Sequence, residues 1–367
     1  MTVVAVMSVC DVPVFLGDIL TSAPFAPPTP LHLPTRGEVP AALPSRLQPV
    51  GVSRKVLWHD PNCLVGFAGP LREAKKLRSR ISAMGSGKVD VSSIRKLIDE
   101  KAVKAYPGLS LVAMMKQGQS WKIMSSGGDA FVHHVEGLGK VHIAGSGRSA
   151  LLKILYAMPT PRCSDIDGVR RTLYTLHGAL FLTDARSGSS ENMLAGGAYE
   201  VWFSDPVRGV RPLADHNLVL GVFNSDEGYF ELRQAHNIRY RRSKLVLRSA
   251  RFRTGPQGPF LEDRAIHVAT VPGVGPSKQE IREIREARLF SCTELVTSGF
   301  VALHRGCYAG CAFLTCGQGS GGIFLHPRGM ADVAVECDKR LVHRLLCDKF
   351  RHLDILYKTP RITWSMR

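Results

Sequence analysis

The first seventy residues alternate between apolar runs and turn-forming positions in a pattern that predicts two β-hairpins. The apolar, β-branched run at residues 3–6 predicts a first strand over residues 2–8. Turn-forming residues at 11–13 interrupt this run, and residues 14–16 then lead back to Asp18. We expect this hairpin to bring the Asp18 carboxylate beside the start of the chain.

The next segment, residues 24–50, is dense in proline. Proline lacks a backbone N–H and is disfavoured in helices and central strands, so we expect an extended insertion loop here. The loop could be a solvent-exposed tether or a rim over a neighbouring site. Regular structure resumes at residue 52, where apolar runs on either side of residues 60–62 predict the second hairpin, which ends at Gly69.

Helical and strand patterns alternate over the following 180 residues or so. Apolar spacings of three and four predict helices over residues 71–84, 91–105, 149–158 and 166–183. Short apolar runs predict four strands between residues 109 and 147, and further strands at 199–203, 218–223 and 229–240. This order predicts an α+β fold in which two antiparallel sheets pack face to face with helix pairs outside them, a four-layer αββα sandwich.

The composition is that of a globular protein, since 44% of the 367 residues are hydrophobic and 22% are charged. We see neither an apolar run long enough to span a membrane nor the basic and apolar regions of a signal peptide, so we expect a cytoplasmic protein. The nine cysteines are spread from Cys10 to Cys347 without a paired framework. We expect most of them to be reduced and buried.

The net charge of +17 allows two interpretations. A basic surface attracts nucleic acid or acidic protein segments, but it can also be a general bias spread over a large surface. Aromatic residues make up only 7% of the chain, and they are not interleaved with basic residues as in proteins that stack bases. We therefore favour a solvated basic surface and do not expect nucleic acid as a partner.

Candidate chemistry begins at Thr2, directly behind the initiator Met1. Removal of Met1, which a small second residue permits, would leave a threonine with both a hydroxyl and a free α-amine. The amine, with a free pKa of about 8, can take up the hydroxyl proton near neutral pH. Thr2 would then be a self-contained nucleophile and base.

Five features in this order resemble the proteasome β-subunit and HslV group of N-terminal-nucleophile hydrolases. Thr2 and Asp18 are 16 residues apart, as the nucleophile and aspartate of that family are. The other matches are a basic residue at the second hairpin, a glycine before the first helix and two glycine turns: Lys55, Gly69, Gly145-Ser146-Gly147 and Gly196-Gly197. The resemblance covers about residues 2–250 and implies the sandwich fold of that family.

The resemblance also implies a role for each matched residue. Thr2 Oγ would attack a peptide carbonyl while the Thr2 α-amine accepts the proton. Lys55 would lower the pKa values of the amine and the hydroxyl, and Asp18 would hold Lys55 in place. The backbone N–H of Gly69 would stabilise the oxyanion, and Ser146 would orient the amine.

Substrate and partners follow from the same resemblance. Thr21, Phe67 and Leu71 would line the specificity pocket, which implies cleavage after an apolar residue. The chain would form a homo-oligomeric ring that encloses the nucleophile, act on peptides or unfolded proteins, and need no cofactor. The sequence leaves open whether an ATPase unfoldase feeds the ring.

A second hypothesis keeps the fold without the chemistry, as a catalytically silent ring subunit or binding scaffold. The insertion at residues 24–50 is foreign to the family's minimal form. Asn192 occupies a position that is often acidic in the family, with Glu191 and Asp184 as nearby substitutes. The joint presence of the threonine, the aspartate and the lysine, which a silent subunit has no need to keep, favours the enzyme.

Residues 255–367 form a C-terminal extension to which the sequence assigns no role. Cys307, Cys311 and Cys316 could bind zinc together with a histidine, but no Cys-x-x-Cys pair occurs, so we favour buried thiols and expect no metal site. The glycine-rich residues 317–322 lack the Lys-Ser/Thr of a phosphate-binding loop and predict a turn.

Overall fold

The computed structural model describes residues 2–24, 30–39, 47–84, 91–158, 160–186, 195–224, 229–241, 244–255, 258–273, 277–286, 295–304, 307–317, 323–328 and 332–337. Within these residues, 22 strands pair into six sheets and six helices occur. Asn192, Glu191, Cys347 and most of the glycine-rich residues 317–322 lie outside the described part of the chain.

The elements up to residue 157 contain the two predicted hairpins and the first helices. They are β1 (Val4–Val9), β2 (Val12–Asp18), β3 (Leu20–Pro24), β4 (Leu31–Leu33), β5 (Gly37–Val39), β6 (Leu47–Val52), β7 (Val56–Asp60), β8 (Cys63–Ala68), α1 (Leu71–Ala83), α2 (Val91–Ile98), α3 (Glu100–Val103), β9 (Ser110–Gln117), β10 (Ser120–Ser126), β11 (Ala130–Val135), β12 (Gly139–Ala144) and α4 (Arg148–Ala157).

The elements after residue 157 are one long helix and a succession of mostly longer strands. They are α5 (Ile166–Arg186), β13 (Tyr199–Asp205), β14 (Gly209–Pro212), β15 (His216–Asn224), β16 (Tyr229–Arg241), β17 (Lys244–Gly255), β18 (Gly258–Thr270), α6 (Lys278–Glu286), β19 (Leu295–His304), β20 (Cys307–Gly317), β21 (Ile323–Arg328) and β22 (Asp332–Cys337).

Three sheets contain most of the described strands. The first sheet has the strand order β11-β12-β1-β2-β13-β14, the second β10-β9-β8-β7, and the third β18-β17-β16-β15-β19-β20. Neighbouring strands pair antiparallel in all three, except that β15 and β19 run parallel. The smaller pairs are β3-β6, β4-β5 and β21-β22.

The predicted elements up to residue 241 are confirmed to within a few residues, with three differences. Cys10 and Asp11 form the first turn, while Pro13 lies inside β2. The helix expected over residues 91–105 is divided into α2 and α3. The proline-rich segment is not only a loop, because β3 pairs with β6 and β4 pairs with β5 in its described part.

Alternation of side chains along the strands of the first sheet separates two cores. One face, with Val4, Val6 and Phe15, packs against Leu64 and Met114 of the second sheet. The opposite face packs on α4 and α5 in a larger core that also includes the buried apolar side chains of β15–β18. The far side of the second sheet buries the apolar faces of α1 and α2.

The expected four-layer αββα sandwich is wrong. The protein is mainly antiparallel β structure spread over several sheets. The helix pair α4–α5 was expected to be an outer layer, but α5 contacts β13 of the first sheet on one side and β15, β19 and β20 of the third sheet on the other. The third sheet covers α5 because its apolar side chains, such as Leu218 and Leu247, need a partner surface.

The third sheet includes strands from both sides of the boundary expected near residues 250–255. This boundary falls within β17, which pairs with β16 before it and β18 after it. The backbone hydrogen bonds of the sheet therefore run without a break from the expected domain of residues 2–250 into the extension of residues 255–367.

Cys10 and Cys163 form a disulfide between the β1–β2 turn and the segment before α5, where we expected reduced thiols. In sequence the two cysteines are 153 residues apart, so no local pattern signals the pair. Among the described helices, none has the length and apolar character required to cross a membrane.

Candidate active site

The β1–β2 hairpin places Thr2 beside Asp18, as the sequence predicts. The register pairs Val4 with Gly17, and the Asp18 N–H donates a hydrogen bond to the Val3 carbonyl oxygen at 3.0 Å. The Thr2 hydroxyl donates to Asp18 Oδ1 at 2.6 Å, and the Val3 N–H donates to the same oxygen at 3.0 Å. Asp18 is therefore the immediate hydrogen-bond acceptor of the candidate nucleophile.

Asp18 is held from a second direction by the segment that precedes β13. The Gly196 N–H donates to Asp18 Oδ2 at 3.0 Å. With Thr2 and Val3, this gives the fully buried carboxylate three hydrogen-bond donors. A buried carboxylate that lacked such donors would be strongly destabilising.

Lys55 is the buried cation of the site. Its Nζ donates to the Leu20 carbonyl oxygen at 2.7 Å and lies 5.9 Å from the centre of the Phe67 ring. Lys55 lies close to the β2 end of the hairpin, because a Cβ atom added at Gly17 would be 3.1 Å from Lys55 Cβ.

Burial shifts the pKa values of Asp18 and Lys55 in opposite directions. Burial raises the pKa of the Asp18 carboxyl, while the charge of Lys55 and hydrogen bonds from Thr2, Val3 and Gly196 oppose the rise. Burial lowers the pKa of Lys55, against the attraction of Asp18 and Glu200. Burial therefore weakens the preference of both groups for their charged forms, relative to water.

The Gly145-Ser146-Gly147 turn lies against Thr2. The Gly147 N–H donates to the Thr2 carbonyl oxygen at 3.2 Å. Gly145 has a φ of +99°, and a Cβ atom added there would lie 2.1 Å from that oxygen, so the position requires glycine. Ser146 is exposed at the tip of the turn between β12 and α4, and the glycines on either side of it both lie against Thr2.

Gly69 is exposed at the end of β8, directly before Pro70 and the start of α1. The neighbouring Ala68 packs on the same turn as Thr2, because its Cβ would be 3.2 Å from a Cβ atom at Gly145. Gly69 thus lies one residue from the group of contacts around Thr2, at a helix N-terminus where backbone N–H groups favour negative charge.

The three residues expected in the specificity pocket lie on different elements. Thr21 is half-buried on β3, Phe67 is buried on β8 and Leu71 is half-buried at the start of α1. Of two open clefts in the surface, one is lined by β16–β18 and the other by α2, β9 and β10, and neither includes these residues or Thr2. Thr2 itself is only 5% exposed in the unprocessed chain.

Sequence reasoning missed Glu200, which organises the backbone at Lys55. Glu200 Oε1 accepts the N–H groups of Lys55 at 2.6 Å and Val56 at 3.1 Å. Glu200 Oε2 accepts Arg54 Nε at 2.9 Å and the Trp202 indole N–H at 3.1 Å. One feature of the sequence could have identified Glu200. It is an acidic residue within an apolar strand, and the two-residue alternation of strands places it on the same face as Trp202.

The described residues contain no group of three or more His, Cys, Asp or Glu side chains suited to a metal ion. The backbones of Cys307, Cys311 and Cys316 lie on β20, but the placement of their side chains falls outside the described structure. The zinc alternative therefore stays a prediction from sequence.

No protein-family model matches this chain, and no curated protein matches it. We therefore infer function from the site itself.

Proposed function

We propose that the protein is an N-terminal threonine amide hydrolase whose nucleophile is Thr2. The observation that carries the proposal is the 2.6 Å hydrogen bond from the Thr2 hydroxyl to the buried Asp18, within reach of the charge of Lys55. The resemblance to proteasome β-subunits supports the same class of reaction.

The reaction would begin when removal of Met1 frees the Thr2 α-amine. Asp18 holds the Thr2 hydroxyl until substrate binds. The hydroxyl proton then passes from this hydrogen bond to the α-amine as Thr2 Oγ attacks the peptide carbonyl, and Lys55 stabilises the developing negative charge. The Gly69 N–H stabilises the oxyanion. The C–N bond then breaks, the leaving amine takes the proton, and water hydrolyses the ester formed on Thr2.

We extend the proposal to the surroundings of the site. The substrate is a peptide or unfolded protein cleaved after an apolar residue next to Thr21, Phe67 and Leu71, in a homo-oligomeric ring that needs no cofactor. The location is the cytoplasm, where most thiols are kept reduced. The Cys10–Cys163 disulfide opposes this location. The redox state of the two cysteines in protein taken directly from cells tests it, because the cytoplasm predicts reduced thiols and a disulfide would contradict it.

A silent scaffold is the second candidate, and the burial of Thr2 in the unprocessed chain favours it. Hydrolysis of fluorogenic peptides with an apolar residue before the scissile bond separates the two functions. The enzyme requires that Thr2→Ser retains hydrolysis and Thr2→Ala abolishes it. Thr175→Ala, at an exposed site on α5, is the control. Equal rates of peptide hydrolysis for Thr2→Ala and the native chain would contradict the enzyme and favour the silent scaffold.

A further inference from the structure

The turn between β4 and β5, here called the Thr35–Arg36 turn, reaches from the proline-rich segment to the end of α5. Fully buried Thr35 donates its hydroxyl to Asp184 Oδ2. Arg36 Nε donates to Asp184 Oδ1 at 2.8 Å, and Arg36 Nη2 contacts the same oxygen. A loop insertion thus provides a charged partner for a carboxylate that is only 3% exposed.

Asp184 and the Thr35–Arg36 turn together hold the backbone before β13. Asp184 Oδ2 accepts the Gly197 N–H at 2.8 Å. The Thr35 N–H donates to the Gly197 carbonyl oxygen at 3.3 Å, and Arg36 Nη2 donates to the Ala195 carbonyl oxygen at 3.3 Å. Residues 195–197 are therefore fixed at both ends.

Gly196, between these contacts, donates its N–H to Asp18. Its φ is +120°, and a Cβ atom there would lie 2.3 Å from Asp184 Oδ1, so its backbone rests directly on the Asp184 carboxylate. A displacement of Asp184 would move the Gly196 N–H away from Asp18.

The third sheet supports the turn from the other side. Gln234 Nε2 donates to the Thr35 carbonyl oxygen at 3.0 Å, and Arg251 Nη1 donates to the Arg36 carbonyl oxygen at 2.6 Å. The Gln234 amide oxygen in turn lies 3.0 Å from Nε2 of the buried His236. Contacts on both sides leave the turn little freedom to move independently of the site.

We propose that Thr35 and Arg36 are positioning residues for the Thr2 site, which act through Asp184 to hold the Gly196 N–H against Asp18. This inference rests on the proposed function of Thr2. The proline-rich insertion then helps to hold the geometry of the site and is neither a tether nor an outer rim.

A weaker hydrogen bond from Gly196 to Asp18 would change the pH dependence of the reaction, which a purely structural role of Thr35 and Arg36 would not do. The Gly196 hydrogen bond is one of the contacts that oppose the rise in the pKa of Asp18 caused by burial. If that bond is weakened, the pKa rises further and the carboxylate is lost at a higher pH. The part of the acid limb that reports loss of the Asp18 carboxylate, as distinct from protonation of the α-amine base, then moves to higher pH.

The test compares Thr35→Val, which keeps the shape and removes the hydroxyl, with Thr35→Ser, which keeps the hydroxyl. The rate of Thr2 acylation by a β-lactone is measured against pH, and hydrogen exchange is followed in the peptide that contains Gly196 and Gly197. We expect Thr35→Val to react about three- to tenfold more slowly near neutral pH, the equivalent of one hydrogen bond, with its acid limb at higher pH and faster exchange. Thr35→Ser should match the native chain in acylation rate, pH profile and hydrogen exchange.

Arg36→Lys is the second variant if Thr35→Val does not fold. It loses the forked contact with Asp184 and keeps the positive charge.

Equal pH profiles and exchange rates for Thr35→Val and Thr35→Ser would overturn the positioning role while leaving Thr2 as the nucleophile. A slower Thr35→Val with an unshifted acid limb would overturn it as well, because a general loss of structure scales the rate at every pH. Absence of any Thr2 adduct in the native chain is a different result: it would overturn the proposed function and the positioning role together.

Discussion

At the scale of single residues, Asp18 combines the structural and chemical demands of the site. It is fully buried, accepts three hydrogen bonds and interacts with the charge of Lys55. Leaving a buried charge without its partner is costly, because the desolvation of the remaining ion is no longer offset. Removal of the Asp18 charge should therefore lower the stability of the protein as well as the reactivity of Thr2.

Asp18→Asn should lower the free energy of unfolding by about 3 kcal/mol at pH 7, since it removes the buried carboxylate that attracts Lys55 most strongly. Urea unfolding measures the change, and Thr2 should lose its reactivity in the same variant. Asp11→Asn is the matched control: Asp11 is exposed in a left-handed turn that asparagine also adopts, so its effect should be about 0.5 kcal/mol or less. A loss below about 1 kcal/mol for Asp18→Asn would contradict the account of the buried pair.

Buried histidines should make the fold sensitive to acid. Burial lowers the pKa of His216 to about 4 and that of His236 to about 3. In the unfolded chain both would titrate near pH 6.5, so below that pH the unfolded state binds protons that the folded state excludes. Stability is therefore lost as the pH falls from about 6.5 towards these lowered pKa values.

His236→Phe should reduce the loss of unfolding free energy between pH 7 and pH 5 by about 2 kcal/mol, the share of one buried histidine. The exposed His134 provides the control variant, His134→Gln. The comparison requires urea unfolding at both pH values. An unchanged loss in His236→Phe would show that His236 does not exclude protons in the folded state.

At the scale of elements, the β1–β2 turn fixes the geometry of the site. Its two residues, Cys10 and Asp11, have φ values of 48° and 65°, which is the geometry of a type I′ hairpin. This two-residue turn sets the register that places Asp18 opposite Thr2 and Val3.

Asp11→Gly should raise the free energy of unfolding by about 0.5–1 kcal/mol, because glycine adopts positive φ without strain. Asp60→Gly, at the turn between β7 and β8, should have the opposite effect. The Asp60 carboxylate accepts the Asn62 N–H at 2.7 Å, and glycine would remove this bond. A destabilising Asp11→Gly, measured by thermal unfolding, would contradict the assigned turn geometry.

The local elements could be predicted because their signals lie within a few residues of sequence. Apolar runs bounded by turn-forming residues predicted β1, β2 and β8, and the three-and-four spacing predicted α1. The proximity of Thr2 and Asp18 could be predicted for the same reason, since a single tight hairpin joins them. The contacts of Asp184 with Thr35 span 149 residues, and no local pattern carries such a pairing.

At the scale of the whole molecule, the sequence pattern did not predict the third sheet. Among its described strands, the one parallel pair joins β15 to β19, more than seventy residues later, and parallel pairing leaves no turn signal at either end. The strands β15–β18 individually showed apolar runs. Nothing in those runs determines that they cover α5 on the side opposite the first sheet.

The central claim is that Thr2 becomes a free, activated nucleophile, and the mass of the purified protein tests it most directly. The intact mass is measured before and after treatment with an epoxyketone or a β-lactone, and fragmentation locates the adduct. The account predicts loss of Met1 and a single adduct on Thr2 that is absent from Thr2→Ala. Retained Met1, which would keep the Thr2 amine in a peptide bond, or an adduct on another residue would contradict it.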